Sequence, residues 1–97
     1  MNKNPLEKDI EEKVCDYAKQ LGCLCYKFTS PGRRSVPDRL FITPEGVVFW
    51  IEFKRLGEKP TSGQLVEIQK LWKQKVEVFV ADSVEIGKIL IDAMVKA

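Results

Sequence analysis

The sequence predicts an α/β fold: a mixed four-stranded sheet flanked by helices, in the order α-β-β-β-α-β-α. Three observations carry this. Apolar residues recur at helical spacing near the start, in the third quarter and at the end of the chain. Two apolar runs on either side of Pro44-Glu45-Gly46 read as a hairpin with a three-residue loop, Gly46 taking the left-handed position. The second run, Val47 to Ile51, is apolar on both faces, which marks a central strand covered on both sides.

Taken in order, Pro5 to Leu21 forms an amphipathic helix. Ile10, Val14, Ala18 and Leu21 line its inner face and Gly22 stops it. Cys23 to Thr29 is a strand rich in aromatic and apolar residues. Ser30 to Pro37, with two prolines and a glycine, is a loop. Arg39 to Thr43 and Val47 to Lys54 are the arms of the hairpin. After a polar connection, Thr61 to Gln74 is a helix with Leu65, Ile68, Leu71 and Trp72 inward, and Thr61-Ser62-Gly63-Gln64 is a capping box at its start. Val76 to Ala81 is a short strand. Ser83 caps the last helix, with Ile86, Ile89, Leu90, Ala93 and Met94 on its buried side.

At 97 residues the chain is expected to be one domain spanning 1–97. A content of 44% hydrophobic and 31% charged residues excludes a disordered polypeptide. The net charge of +2 is too small to argue for nucleic acid by itself. Its distribution is more telling. The first helix carries Glu7, Asp9, Glu11, Glu12 and Asp16, whereas Arg33, Arg34, Arg39, Lys54, Arg55 and Lys59 crowd the centre and form a basic field suited to a phosphate backbone. No apolar stretch approaches the ~20 residues of a membrane span and no signal peptide is visible, so a cytoplasmic protein is expected.

There is no histidine and no Cys-x-x-Cys pair, which removes His-dependent nucleophilic catalysis and structural zinc. The three cysteines read as reduced, small hydrophobic residues. Any catalysis must run on carboxylates, lysine and metal.

The hairpin assembles such a set. If Thr43 pairs with Val47, opposed residues sum to ninety, and Asp38 lies across from Glu52 on one face. Two like charges so opposed repel, and a divalent cation between them turns repulsion into coordination. Lys54, two residues on, shares that face. Hard oxygen ligands of this kind hold Mg²⁺ or Mn²⁺, and a neighbouring lysine can position water or stabilise transition-state charge, as phosphodiester hydrolysis requires. The backbone carbonyl of Phe53 offers one more metal oxygen. Without such a role, Asp38 and Glu52 would be a salt-bridged pair partnered by Lys54 or Arg39.

Pro37-Asp38, thirteen residues, then Glu52-Phe53-Lys54 resembles the PD-(D/E)XK nuclease motif. With Tyr26-Lys27-Phe28, Ser30-Pro31-Gly32-Arg33-Arg34, Val36-Pro37-Asp38-Arg39 and the downstream Gln64, nearly the whole chain resembles the virus-type replication-repair nuclease (VRR-NUC) domain, in a stand-alone version of the kind found in phages and bacteria. The resemblance implies a restriction-endonuclease-like core, metal-dependent DNA cleavage and kinship with Holliday-junction resolvases. It also implies a first-helix acid completing the metal site, for which Glu11 matches best and Glu7, one turn earlier, is the alternative. Gln64 would lie near the active site, and Arg33, Arg34 and Arg39 would contact DNA. A domain this small would gain core by forming a homodimer, in which Trp50 and Trp72 are core or dimer contacts. The alternative is a non-catalytic nucleic-acid-binding or replication-complex interaction module on the same fold.

Overall fold

The computed structural model describes residues 6–29, 32 and 36–97. Its elements follow the expected order: α1 (Glu7–Gln20), β1 (Leu24–Lys27), β2 (Arg39–Ile42), β3 (Val48–Phe53), α2 (Ser62–Lys73), β4 (Val78–Ala81) and α3 (Val84–Lys96). The strands lie in sheet order β1-β2-β3-β4, antiparallel except for the parallel β3–β4 pair. The first and last strands are each shorter than expected from the sequence.

α1 ends because Gly22 enters the left-handed region (φ +88°), closing a Schellman turn in which Cys23 N donates to Ala18 O and Gly22 N to Lys19 O. Gly46 (φ +87°) closes the β2–β3 hairpin, where Thr43 N donates to Val47 O at 2.9 Å. That turn fixes the register as Arg39–Ile51, Leu40–Trp50, Phe41–Phe49 and Ile42–Val48, all summing to ninety as expected.

Strand alternation then sorts the side chains. Phe41, Phe49, Ile51, Phe53 and Ala81 point to one face and form the main core with Ile10, Val14 and Ala18 of α1 and Ile91 of α3. Phe41 and Phe49 stack at 5.2 Å. On the other face, Val78 and Ile68 are buried beneath α2, and Trp72 Nε1 donates to Val78 O at 3.0 Å.

Four burial expectations are corrected. Leu21, expected on the inner face of α1, is exposed at the cap that ends the helix. The β3 strand is not covered throughout on both sides: α2 packs on β4 and leaves Val48 exposed. On α2 only Ile68 is fully buried, while Leu65 and Trp72 are 41% and 51% exposed. On α3 the buried residues are Gly87 and Ile91, and Ile86, Ile89 and Ala93 face outward. The cause is a close approach of two helices. A Cβ at Gly87 would sit 2.3 Å from Val14 Cγ2, so α3 turns its glycine toward α1. No helix among the described residues is long and apolar enough to cross a membrane.

Candidate active site

Three features of the sequence bring Asp38 to the end of β3. Pro37 has no N–H to donate and is fully buried, so β2–β3 pairing stops at Arg39–Ile51. Phe28 N donates to Asp38 O at 3.1 Å and holds the backbone there. The side chain then takes the place of the missing ladder bond: Phe53 N donates to Asp38 Oδ2 at 3.2 Å. Continuing the observed register, Asp38 faces Glu52 at a position of the non-hydrogen-bonded kind, where opposed side chains come closest.

Glu52 is 2% exposed, a charged group on a strand otherwise buried at this end. Its Oε2 accepts from Gln64 Nε2 at 3.0 Å and lies 3.4 Å from Lys54 Nζ. Both contacts fall on the same oxygen. Burial, reinforced by the Asp38 charge, pushes the Glu52 carboxyl up to about 7, against the pull of Lys54. Asp38 is also raised, chiefly by burial, with the Phe53 N–H opposing. The two carboxylates are therefore held together at a real electrostatic cost by the scaffold around them.

Gln64 serves two elements at once. Its Oε1 accepts from Thr61 N at 2.9 Å and its N–H donates to Thr61 Oγ1 at 3.2 Å, which completes the expected capping box. Its amide nitrogen is left for Glu52.

The first-helix acids are partnered differently. Glu11 is 5% exposed and bound by Arg39 Nε at 2.5 Å, with Lys27 Nζ at 3.6 Å. Arg39 alternates with Asp38, so it stands on the α1 side of the sheet rather than beside Glu52. Glu7 is partly buried, and its carboxyl is raised by burial and then by Asp38, against Lys54. Arg33 and Arg34 lie outside the described residues. Lys27, given no role in the sequence reading, pairs with Glu11 and lowers Asp38 from its place opposite Arg39 in the β1–β2 register.

Among the described residues, no three carboxylate, thiol or imidazole groups converge on one point. A pair does. The half-buried Asp38 and the buried Glu52 carboxylates repel each other, and the contacts of Glu52 among the described residues fall on one oxygen; such a pair suits a hard divalent cation, which takes one or two carboxylates and fills the rest of its shell with water and phosphate oxygens.

No family model matches the chain. A protein of Acyrthosiphon pisum secondary endosymbiont phage 1 named "Putative nuclease p44" is 43% identical over 84 residues, which cover 87% of this chain and 90% of that one. A solved structure titled "VRR_NUC domain" superposes with a TM-score of 0.82 at 32% identity, covering 89% of this chain and 94% of the other. With the mixed sheet and flanking helices of a restriction-endonuclease-like fold, these likenesses show that the chain belongs to the VRR-NUC family of nucleases.

Proposed function

We propose that this nuclease hydrolyses DNA phosphodiester bonds with Mg²⁺ or Mn²⁺, and that it selects branched DNA of the Holliday-junction type. The observation that carries the reading is the pairing of half-buried Asp38 with buried Glu52, with Lys54 3.4 Å from Glu52.

In this reading Asp38, Glu52 and the Phe53 carbonyl hold the ion, and one acid of α1 completes the set. Glu11 is the better match to the family pattern, but Arg39 and Lys27 already neutralise it. Glu7 interacts electrostatically with Asp38, Glu52 and Lys54, and we take it as the completing acid. When bound, the ion supplies positive charge at the phosphate and acidifies water. The chain's own groups do the rest. Lys54, kept in place by Glu52, orients the attacking water and stabilises charge developing on the phosphoryl oxygens. Gln64 fixes the rotamer of Glu52, so that its other oxygen keeps one direction. Arg33 and Arg34 contact the DNA backbone; Arg39 joins them only by releasing Glu11.

The active unit is a homodimer of single domains spanning 1–97. Leu65 and Trp72, seven apart on α2, share an exposed face that pairing would cover. Sedimentation at micromolar concentration would show a dimer; monomer alone would remove this part.

The test is cleavage of labelled duplex, flap and four-way-junction DNA with Mg²⁺ or Mn²⁺. Junction cleavage that a chelator abolishes is the expected result. Binding without cleavage under every metal condition would replace catalysis by a binding role.

A further inference from the structure

We propose that Cys15 and Cys25 are a thiol–disulfide pair, in which Cys25 reacts with a hydroperoxide and Cys15 resolves it to a bond tying α1 to the edge strand β1. The two sulfurs lie 2.8 Å apart. A disulfide needs about 2.05 Å, so closure asks for less than about 1 Å of movement. They come from different elements, ten residues apart in sequence, and α1 packs directly on β1.

The two thiols are unequal in the way such a pair requires. Cys15 is buried and its thiol is pushed up, first by its contact with Cys25 and then by burial. Cys25 is partly exposed, and its thiol is lowered by the Cys15 contact and by Arg39, whose Nη1 lies 3.8 Å from its sulfur. The reachable sulfur is thus the better nucleophile, and the one behind it is placed to attack next. Cys23 is buried and two residues from Cys25 in sequence, but the sulfur that meets Cys25 is that of Cys15.

The step balances with a hydroperoxide as oxidant. The Cys25 thiolate attacks one peroxide oxygen; the O–O bond breaks, giving a sulfenic acid and hydroxide or alkoxide. The Cys15 sulfur then attacks the Cys25 sulfur, the S–S bond forms, and the sulfenic oxygen leaves as water with the Cys15 proton. Two thiols lose two electrons and the hydroperoxide gains them. A thiol reductant reverses the bond. None of this rests on the nuclease reading.

The experiment treats the purified chain with stoichiometric hydrogen peroxide and follows intact mass, alkylatable thiols and thermal unfolding. The expected result is loss of two hydrogens, one alkylatable thiol left of three, and an unfolding midpoint raised by several degrees. Dithiothreitol undoes all three changes. Cys23→Ala still loses two hydrogens and keeps no alkylatable thiol. Cys15→Ala instead gains oxygen at Cys25, and Cys25→Ala, at a half-exposed position, loses no hydrogens. Oxygen gain without hydrogen loss in the unsubstituted chain, a bond through Cys23, or a disulfide between two chains would overturn the proposal.

Discussion

Gln64 hydrogen-bonds Glu52 across two elements, its Nε2 3.0 Å from Glu52 Oε2, while its other amide atom caps the helix it begins. One side chain thus couples the start of α2 to the most buried carboxylate of the site. The two roles separate by substitution. Gln64→Glu keeps an oxygen for Thr61 N but sets a carboxylate against Glu52. It is expected to stay within about 0.5 kcal/mol of the parent at pH 5 yet lose cleavage about tenfold or more at pH 8. Gln64→Ala loses the cap as well, about 1 kcal/mol by urea unfolding. Unchanged cleavage by Gln64→Glu would leave the residue a cap alone.

Glu52 makes stability depend on pH in a direction opposite to that of an ion-paired surface acid. Its folded-state carboxyl sits near 7 against an ordinary 4.5, so the folded chain holds this proton more tightly. Below pH 4.5 the group contributes nothing; as pH rises to about 7 stability falls, by roughly 3 kcal/mol at the plateau. Asp38 acts in the same direction. Thermal unfolding in chelator should therefore show a midpoint that drops between pH 5 and 8. Glu52→Gln should flatten most of this drop and be the more stable protein at pH 8. Added Mg²⁺ or Mn²⁺ should raise the parent's midpoint more at pH 8 than at pH 6, because protons compete for the same oxygens.

The two acids of α1 give a contrast. Glu11→Gln strips a half-buried Arg39 of its carboxylate and should cost about 1–3 kcal/mol in denaturant unfolding. Glu7→Gln removes repulsion from Asp38 and should leave stability unchanged or slightly higher at pH 8. It should nonetheless raise the metal concentration needed for half-maximal cleavage about tenfold or more. The reverse pattern would return the metal role to Glu11.

The strand register that sets Asp38 opposite Glu52 is far more legible in the sequence than the helix faces. Gly46 pins a turn, the turn pins the register, and the register carries Asp38 to Glu52 with no tertiary information. The faces of α2 and α3 depart from the expected ones because hydrophobicity alone does not say which side of a helix meets its neighbours. Ile86 and Ile89 are apolar yet exposed, while Gly87, which carries no apolar signal, is buried because it lets α3 approach Val14. The partnering of Glu11 by Arg39 was equally hidden, since it joins residues 28 apart on a helix and a strand.

That close approach is itself testable. Gly87→Ala places a methyl 2.3 Å from Val14 Cγ2 and should destabilise by about 1–3 kcal/mol despite the gain in helix propensity. Val14→Ala in the same chain should recover part of that loss, a coupling read from a double-mutant cycle of urea midpoints. Additive effects would mean that the helices move apart freely.

In the proposed mechanism the opposed pair Asp38 and Glu52, with Lys54, carries out cleavage. The most direct measurement is single-turnover cleavage of end-labelled DNA by the parent, Asp38→Asn and Lys54→Met, with circular dichroism and DNA binding followed in parallel. Each variant should stay folded and bind DNA while its cleavage rate falls by about 10² or more at saturating Mg²⁺ or Mn²⁺. Cleavage by folded Asp38→Asn at the parent's rate would contradict the account, and the reacting phosphate would have to be sought elsewhere on the molecule.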